Sequence, residues 1–101
     1  MGYNKLVRDK IPRIIKESGK IPVTHIANEE EYLKMLKEKL KEEVNEFLEE
    51  DNIEEMIDVF EVMMTINNIN GWDLEKVLEL RAKKLKERGG FDRRIILERV
   101  D

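Results

Sequence analysis

The chain has 101 residues, 42% of them charged and 41% hydrophobic, with 19 Lys and Arg against 23 Asp and Glu, a length that suits one domain around a single core. It has no cysteine, and His25 is its single histidine, which excludes a disulfide framework, a thiolate zinc site, a cysteine nucleophile and any two-His metal motif. No apolar run approaches the roughly 18 residues of a membrane span, and the opening MGYNKLVRDK is too polar for a secretory signal. The expectation is a soluble, cytoplasmic protein with no membrane partner.

The net charge of −4 conceals a partition. Residues 29–61 hold 14 acids and 4 bases, residues 1–20 hold 6 bases and 2 acids, and residues 81–99 hold 8 bases and 3 acids. An acidic middle between two basic ends suits a cation site flanked by groups that attract phosphates. A nucleic-acid binder would gather its bases on one continuous face, so no nucleic-acid partner is expected.

In chain order, Asp9 to Ser18 reads as a short helix with Pro12 in its first turn, where the missing N–H costs nothing. Val23 to Ala27 reads as extended, and His25 within it as a loop or strand residue. Asn28 followed by Glu31 forms a capping-box pattern, and Leu33, Leu36, Leu40, Val44, Phe47 and Leu48 then recur at helical spacing to about residue 50. Asp51-Asn52 breaks that helix, and Asn52 with Glu55 repeats the cap pattern. The second long helix is apolar on more than one face from Val59 to Ile69, with Met56, Met63 and Met64 as core filler, which implies burial on several sides. Asn70-Gly71 stops it, Trp72 reads as a packing anchor at the corner, Asp73 caps a third long helix, and Gly89-Gly90 ends that one. Arg94 to Leu97 reads as extended. The predicted fold is all-α, an antiparallel helical hairpin plus further helices in a bundle completed by dimerisation.

Acidic side chains cluster on the two arms of the hairpin. Glu43 and Glu46 share one face of the first long helix, and Glu55 and Asp58 share one face of the second. A turn centred between Glu50 and Asp51 puts Glu46 level with Glu55 and Glu43 level with Asp58, roughly 7 and 11 Å from the turn at ~1.5 Å rise per residue. Four carboxylates that close repel unless a cation sits among them. Oxygen-only ligands select Mg2+, or Mn2+, over zinc. The same acids also fit a solvated helix face, as Glu49, Glu50 and Glu54 do.

Glu42-Glu43-Val44-Asn45-Glu46, then Glu55-Met56-Ile57-Asp58, resembles the paired E-E-x-x-E … E-x-x-D signature of the MazG-like, all-α nucleoside triphosphate pyrophosphohydrolases. The opening Tyr3-Asn4-Lys5-Leu6-Val7-Arg8-Asp9-Lys10-Ile11-Pro12 is similar to the start of the phosphoribosyl-ATP pyrophosphohydrolase-like branch, and Lys86-Glu87-Arg88-Gly89-Gly90-Phe91 to its end. Eight residues separate Glu46 from Glu55, fewer than in many MazG-type members.

The resemblance implies a single pyrophosphohydrolase domain over residues 1–101, cleaving a nucleotide between its α- and β-phosphates with Mg2+ or Mn2+ to release pyrophosphate and a monophosphate. Glu43, Glu46, Glu55 and Asp58 would hold the cation, and Glu42 would be a ligand or the base that orients the attacking water. Glu61, one turn beyond Asp58, lacks a partner across the hairpin and reads as solvated or supporting. Lys83, Lys86, Arg88, Arg93 and Arg94 would neutralise the leaving pyrophosphate, and Asn4, Lys5, Arg8 and Lys10 would reach the nucleotide from the N-terminal segment. The substrate would be phosphoribosyl-ATP or unwanted nucleotides removed from the pool, and the protein a homodimer or homotetramer. The rival reading is a non-enzymatic helical dimerisation or regulatory module.

Overall fold

The computed structural model describes residues 4–101 and contains four helices, α1 (Ile11–Glu17), α2 (Glu29–Glu50), α3 (Ile53–Ile69) and α4 (Leu74–Arg88). Tyr3, at the start of the N-terminal motif, lies outside the described residues. Two compact units divide the chain, Met1–Ile66 and Asn67–Asp101.

In the first unit, α1 begins at Lys10 without a side-chain cap, with Pro12 in its first turn. The helix is thus shorter than the Asp9 to Ser18 stretch expected for it. Helix α2 starts where the cap pattern places it: the Glu31 amide donates to Asn28 Oδ1 at 2.9 Å. The reciprocal half of the capping box is diverted, because the Glu31 carboxylate lies 3.0 and 3.1 Å from His25 Nε2 instead. His25 thus belongs to a loop and serves the entry to α2. Among the described residues there is no strand, so the segments 23–27 and 94–97 are not paired as extended chain. Neither has a neighbouring strand to supply the ladder that isolated extended backbone needs.

Two residues join α2 to α3. Asp51 is left-handed (φ 48°, ψ 49°), and its amide donates to Phe47 O at 2.8 Å. Asn52 then caps α3, accepting from the Glu55 amide at 2.9 Å. Such a cap stabilises a helix by about 1 kcal/mol. So short a link forces the second arm back along the first. Leu36 and Val62 are the buried apolar side chains of the described residues. Met56, Ile57, Phe60 and Met63 on α3 are each about half exposed or more. The expectation that Met56 and Met63 fill a core fails within one chain, because the hairpin covers only one face of α3.

In the second unit, the buried Asn67 side chain donates to Trp72 O at 3.1 Å and fixes the turn through Gly71. Trp72 itself is 58% exposed rather than a packing anchor. Asp73 caps α4 through the Glu75 amide at 3.0 Å. Gly89 ends it with φ 80°, its amide on Leu85 O at 2.8 Å.

Candidate metal centre

Glu43, Glu55 and Asp58 each present an oxygen, and these oxygens all lie within 4.8 Å of one another. The helical period explains the choice. Glu43 stands seven residues after the buried Leu36, nearly two full turns, so it continues the stripe of α2 that is turned inward. Glu55 and Asp58 stand seven and four residues before the buried Val62, on the inward stripe of α3. Glu46 is rotated about 60° from Glu43 around α2. It is half-buried and does not join the group of three. Equal height along the hairpin is therefore insufficient: rotation about the helix axis selects Glu43 and sets Glu46 at the margin.

Glu43 is the buried member, only 7% exposed. A buried carboxylate must be paired to be tolerated. Lys39, one turn earlier on the same face, places Nζ 3.1 Å from Glu43 Oε1 and 3.4 Å from Glu42 Oε2. Burial on its own pulls the Lys39 ammonium down. The hydrogen bond to Glu43, the charges of Glu42 and Glu43 and the hydrogen bond to Glu42 outweigh it, leaving the pKa above its ordinary 10.5. A raised lysine contributes stability that is complete below its unfolded pKa and is lost as pH rises through the folded value. The melting-temperature gap between wild type and Lys39→Met is thus expected to stay level up to about pH 10 and to close above it. Melting curves from pH 8 to 11.5 check this, and a gap that widens with alkalinity would contradict it.

The other oxygen of Glu43, Oε2, is buried without a hydrogen-bond partner, and so is Glu55 Oε2. Buried polar atoms are almost always paired. Two orphaned carboxylate oxygens beside a third carboxylate make an all-oxygen donor set that fits a hard divalent cation such as Mg2+ or Mn2+. The donor set contains no nitrogen or sulfur that would favour zinc.

Two basic residues of the N-terminal segment reach this region. Arg8 Nη2 lies 2.7 Å from Asp58 Oδ1, and Lys5 Nζ lies 3.5 Å from Glu42 Oε1. Glu42 thus has a lysine at each oxygen and stands outside the group of three. Asn4, Lys5, Glu38, Lys39 and Glu42 line a polar cleft of about 230 Å³. Lys10 sits at the entry to α1, and the exposed Glu61 offers only its backbone oxygen, to the Thr65 hydroxyl.

The sequence-predicted residues of the second unit are all exposed. Lys83 pairs with Glu87 at 4.0 Å on α4, Lys86 and Arg88 occupy its last turn, and Arg93 and Arg94 follow the glycines. Lys39 is the residue that sequence reasoning missed. Its signal was present in its spacing, since a lysine three and four residues before a Glu pair faces both of them.

Neither a family model nor a solved structure matches the chain. A protein of Mycolicibacterium smegmatis described as uncharacterized is 48% identical over 42 residues, which cover 42% of this chain and 43% of that protein. The chain therefore spans less than half the length of the relative it matches.

Proposed function

We propose that the chain is a Mg2+- or Mn2+-dependent nucleotide pyrophosphohydrolase that splits the bond between the α- and β-phosphates and releases pyrophosphate and a nucleoside monophosphate. The observation that carries this reading is the buried, unpartnered oxygen of Glu43 beside Glu55 and Asp58, on a hairpin flanked by basic residues. The likeness of the Glu42–Glu46 and Glu55–Asp58 motifs to the MazG-like enzymes supports it further.

A divalent cation held at this centre would supply charge neutralisation for the phosphates and Lewis acidity toward the attacking water. Glu43, Glu55 and Asp58 would hold the ion, with Glu46 near them on α2. Glu42, tethered by Lys5 and Lys39, would be a further ligand or the carboxylate that orients the attacking water, a role that rests on the motif likeness. Asn4, Lys5 and Arg8, in the same unit as the carboxylates, would offer charge to the phosphates. A panel of ribo- and deoxyribonucleoside triphosphates and phosphoribosyl-ATP with Mg2+, with pyrophosphate and orthophosphate assayed separately, tests the reading. Pyrophosphate from one or more substrates is expected. Orthophosphate alone would overturn the bond assignment, and a reaction confined to phosphoribosyl-ATP would name the biosynthetic substrate.

The exposed apolar face of α3 supports self-association into a homodimer or homotetramer. Phe60 is 65% exposed there, beside Met56, Ile57 and Met63, and a second copy would bury what one hairpin leaves open. Phe60→Asp is expected to yield monomers by light scattering after size exclusion. A wild type that is monomeric at micromolar concentration would remove this part of the reading. The same face favours one rival, a helical interaction module without catalysis, which would keep its oligomer and release no pyrophosphate.

A further inference from the structure

The two cations that touch the carboxylate cluster are attached in different ways. Lys39 belongs to the same helix as Glu43, occupies Oε1 and leaves the buried Oε2 without a partner. Arg8 comes from a distant segment, fifty positions away in sequence, and meets Asp58, which is itself a member of the cluster. Both partners of that pair are substantially exposed, with 54% of the Arg8 side chain and 38% of the Asp58 side chain open to water. A solvated pair of this kind is weak and replaceable, whereas the Lys39–Glu43 pair is shielded.

We propose that Arg8 is the exchangeable counter-cation of this centre. Its guanidinium holds Asp58 while no divalent ion is bound, yields that carboxylate when an ion binds, and is thereby freed for the phosphates of an anionic ligand. The proposal rests on the metal reading above. Asp58 is the point of conflict: a guanidinium 2.7 Å from its Oδ1 repels any second cation drawn to the same carboxylate. Divalent binding and the Arg8–Asp58 pair therefore oppose each other, and the opposition is reciprocal. Lys5, on Glu42 at 3.5 Å, keeps the segment beside the centre after Arg8 lets go. Guanidinium matches phosphate oxygens with paired N–H donors, which suits the released side chain to an oligophosphate.

Calorimetric titration of Mn2+ into the full chain, without nucleotide, separates this arrangement from a structural clamp. Arg8→Gln is expected to bind Mn2+ about three- to fivefold more tightly than wild type, with the difference shrinking as salt rises. Arg8→Lys, which restores the charge, is expected to return most of the way to wild type. With Mn2+ saturating, Arg8→Gln is expected to bind inorganic tripolyphosphate more weakly. Unchanged or weaker Mn2+ binding in Arg8→Gln would overturn the exchange, and undiminished tripolyphosphate binding would overturn the role of the freed side chain. Failure of both proteins to bind Mn2+ would instead overturn the metal reading, and this proposal with it.

Discussion

Mn2+ at a hundred times its dissociation constant is expected to raise the melting temperature of the wild-type chain by on the order of 10 °C, and Glu43→Gln to remove the whole shift. Saturation at that level adds about 2.7 kcal/mol, and each kcal/mol moves a domain of this size by several degrees. Glu43 is the decisive position because it has a buried, unpartnered oxygen and its carboxylate clusters with both carboxylates of α3. The metal-free variant is expected to melt at or above the wild-type temperature. The substitution removes one negative charge from three crowded carboxylates, and Lys39 keeps Glu42 as a partner. Differential scanning calorimetry with and without Mn2+ reads both quantities. A shift that survives in Glu43→Gln would show that the ion binds elsewhere, and a metal-free collapse would show that Glu43 serves the fold through Lys39 alone.

Pyrophosphate release offers the second large effect, and it discriminates between two acids that the motif treats alike. Asp58→Asn is expected to lower kcat/KM by at least about a hundredfold, the upper end of what even supporting residues around a metal contribute. Glu46→Gln is expected to cost distinctly less, because Glu46 is rotated away from the three clustered oxygens. Steady-state assays of both variants on the preferred substrate give the comparison. Equal losses would mean that Glu46 turns inward once substrate is bound, and an active Asp58→Asn would remove the proposed reaction from this centre.

The helices were legible because their signals are local. Asn28, Asn52 and Asp73 each accept the backbone amide that their position next to an apolar run predicted. Asp51 and Gly89 end helices where the breaks were expected, each with a positive φ. Capping competition was less visible: Glu31 satisfies His25 and not the Asn28 amide, a choice between two neighbours that spacing alone does not rank. At the candidate centre, height along the hairpin could be read from the length of the turn. The rotation of each helix could not, since it is set by which stripe meets the other arm, and that stripe is marked by Leu36 and Val62. Lys39 was hidden in plain composition among four lysines of α2, and only its partners distinguish it. The apolar residues of α3 announce burial, yet burial against what is not written in a single chain, so Met56 and Met63 stand half exposed here.

The brevity of the Asp51-Asn52 link also sets the order of events during folding. Closing α2 on α3 across two residues costs little loop entropy, and helix pairs with local contacts form in microseconds to milliseconds. The Lys5–Glu42 and Arg8–Asp58 pairs join residues 37 and 50 positions apart, so they lie late on the path. Arg8→Gln is accordingly expected to leave the refolding rate in stopped flow nearly unchanged and to speed unfolding; a slowed refolding limb would place Arg8 in the nucleus instead. The hairpin accumulates its negative charge first, and the N-terminal segment neutralises it afterwards. During that interval the nascent carboxylate cluster has Lys39 as its paired cation, and under the proposed metal reading a divalent ion would meet it before the chain's own arginine does.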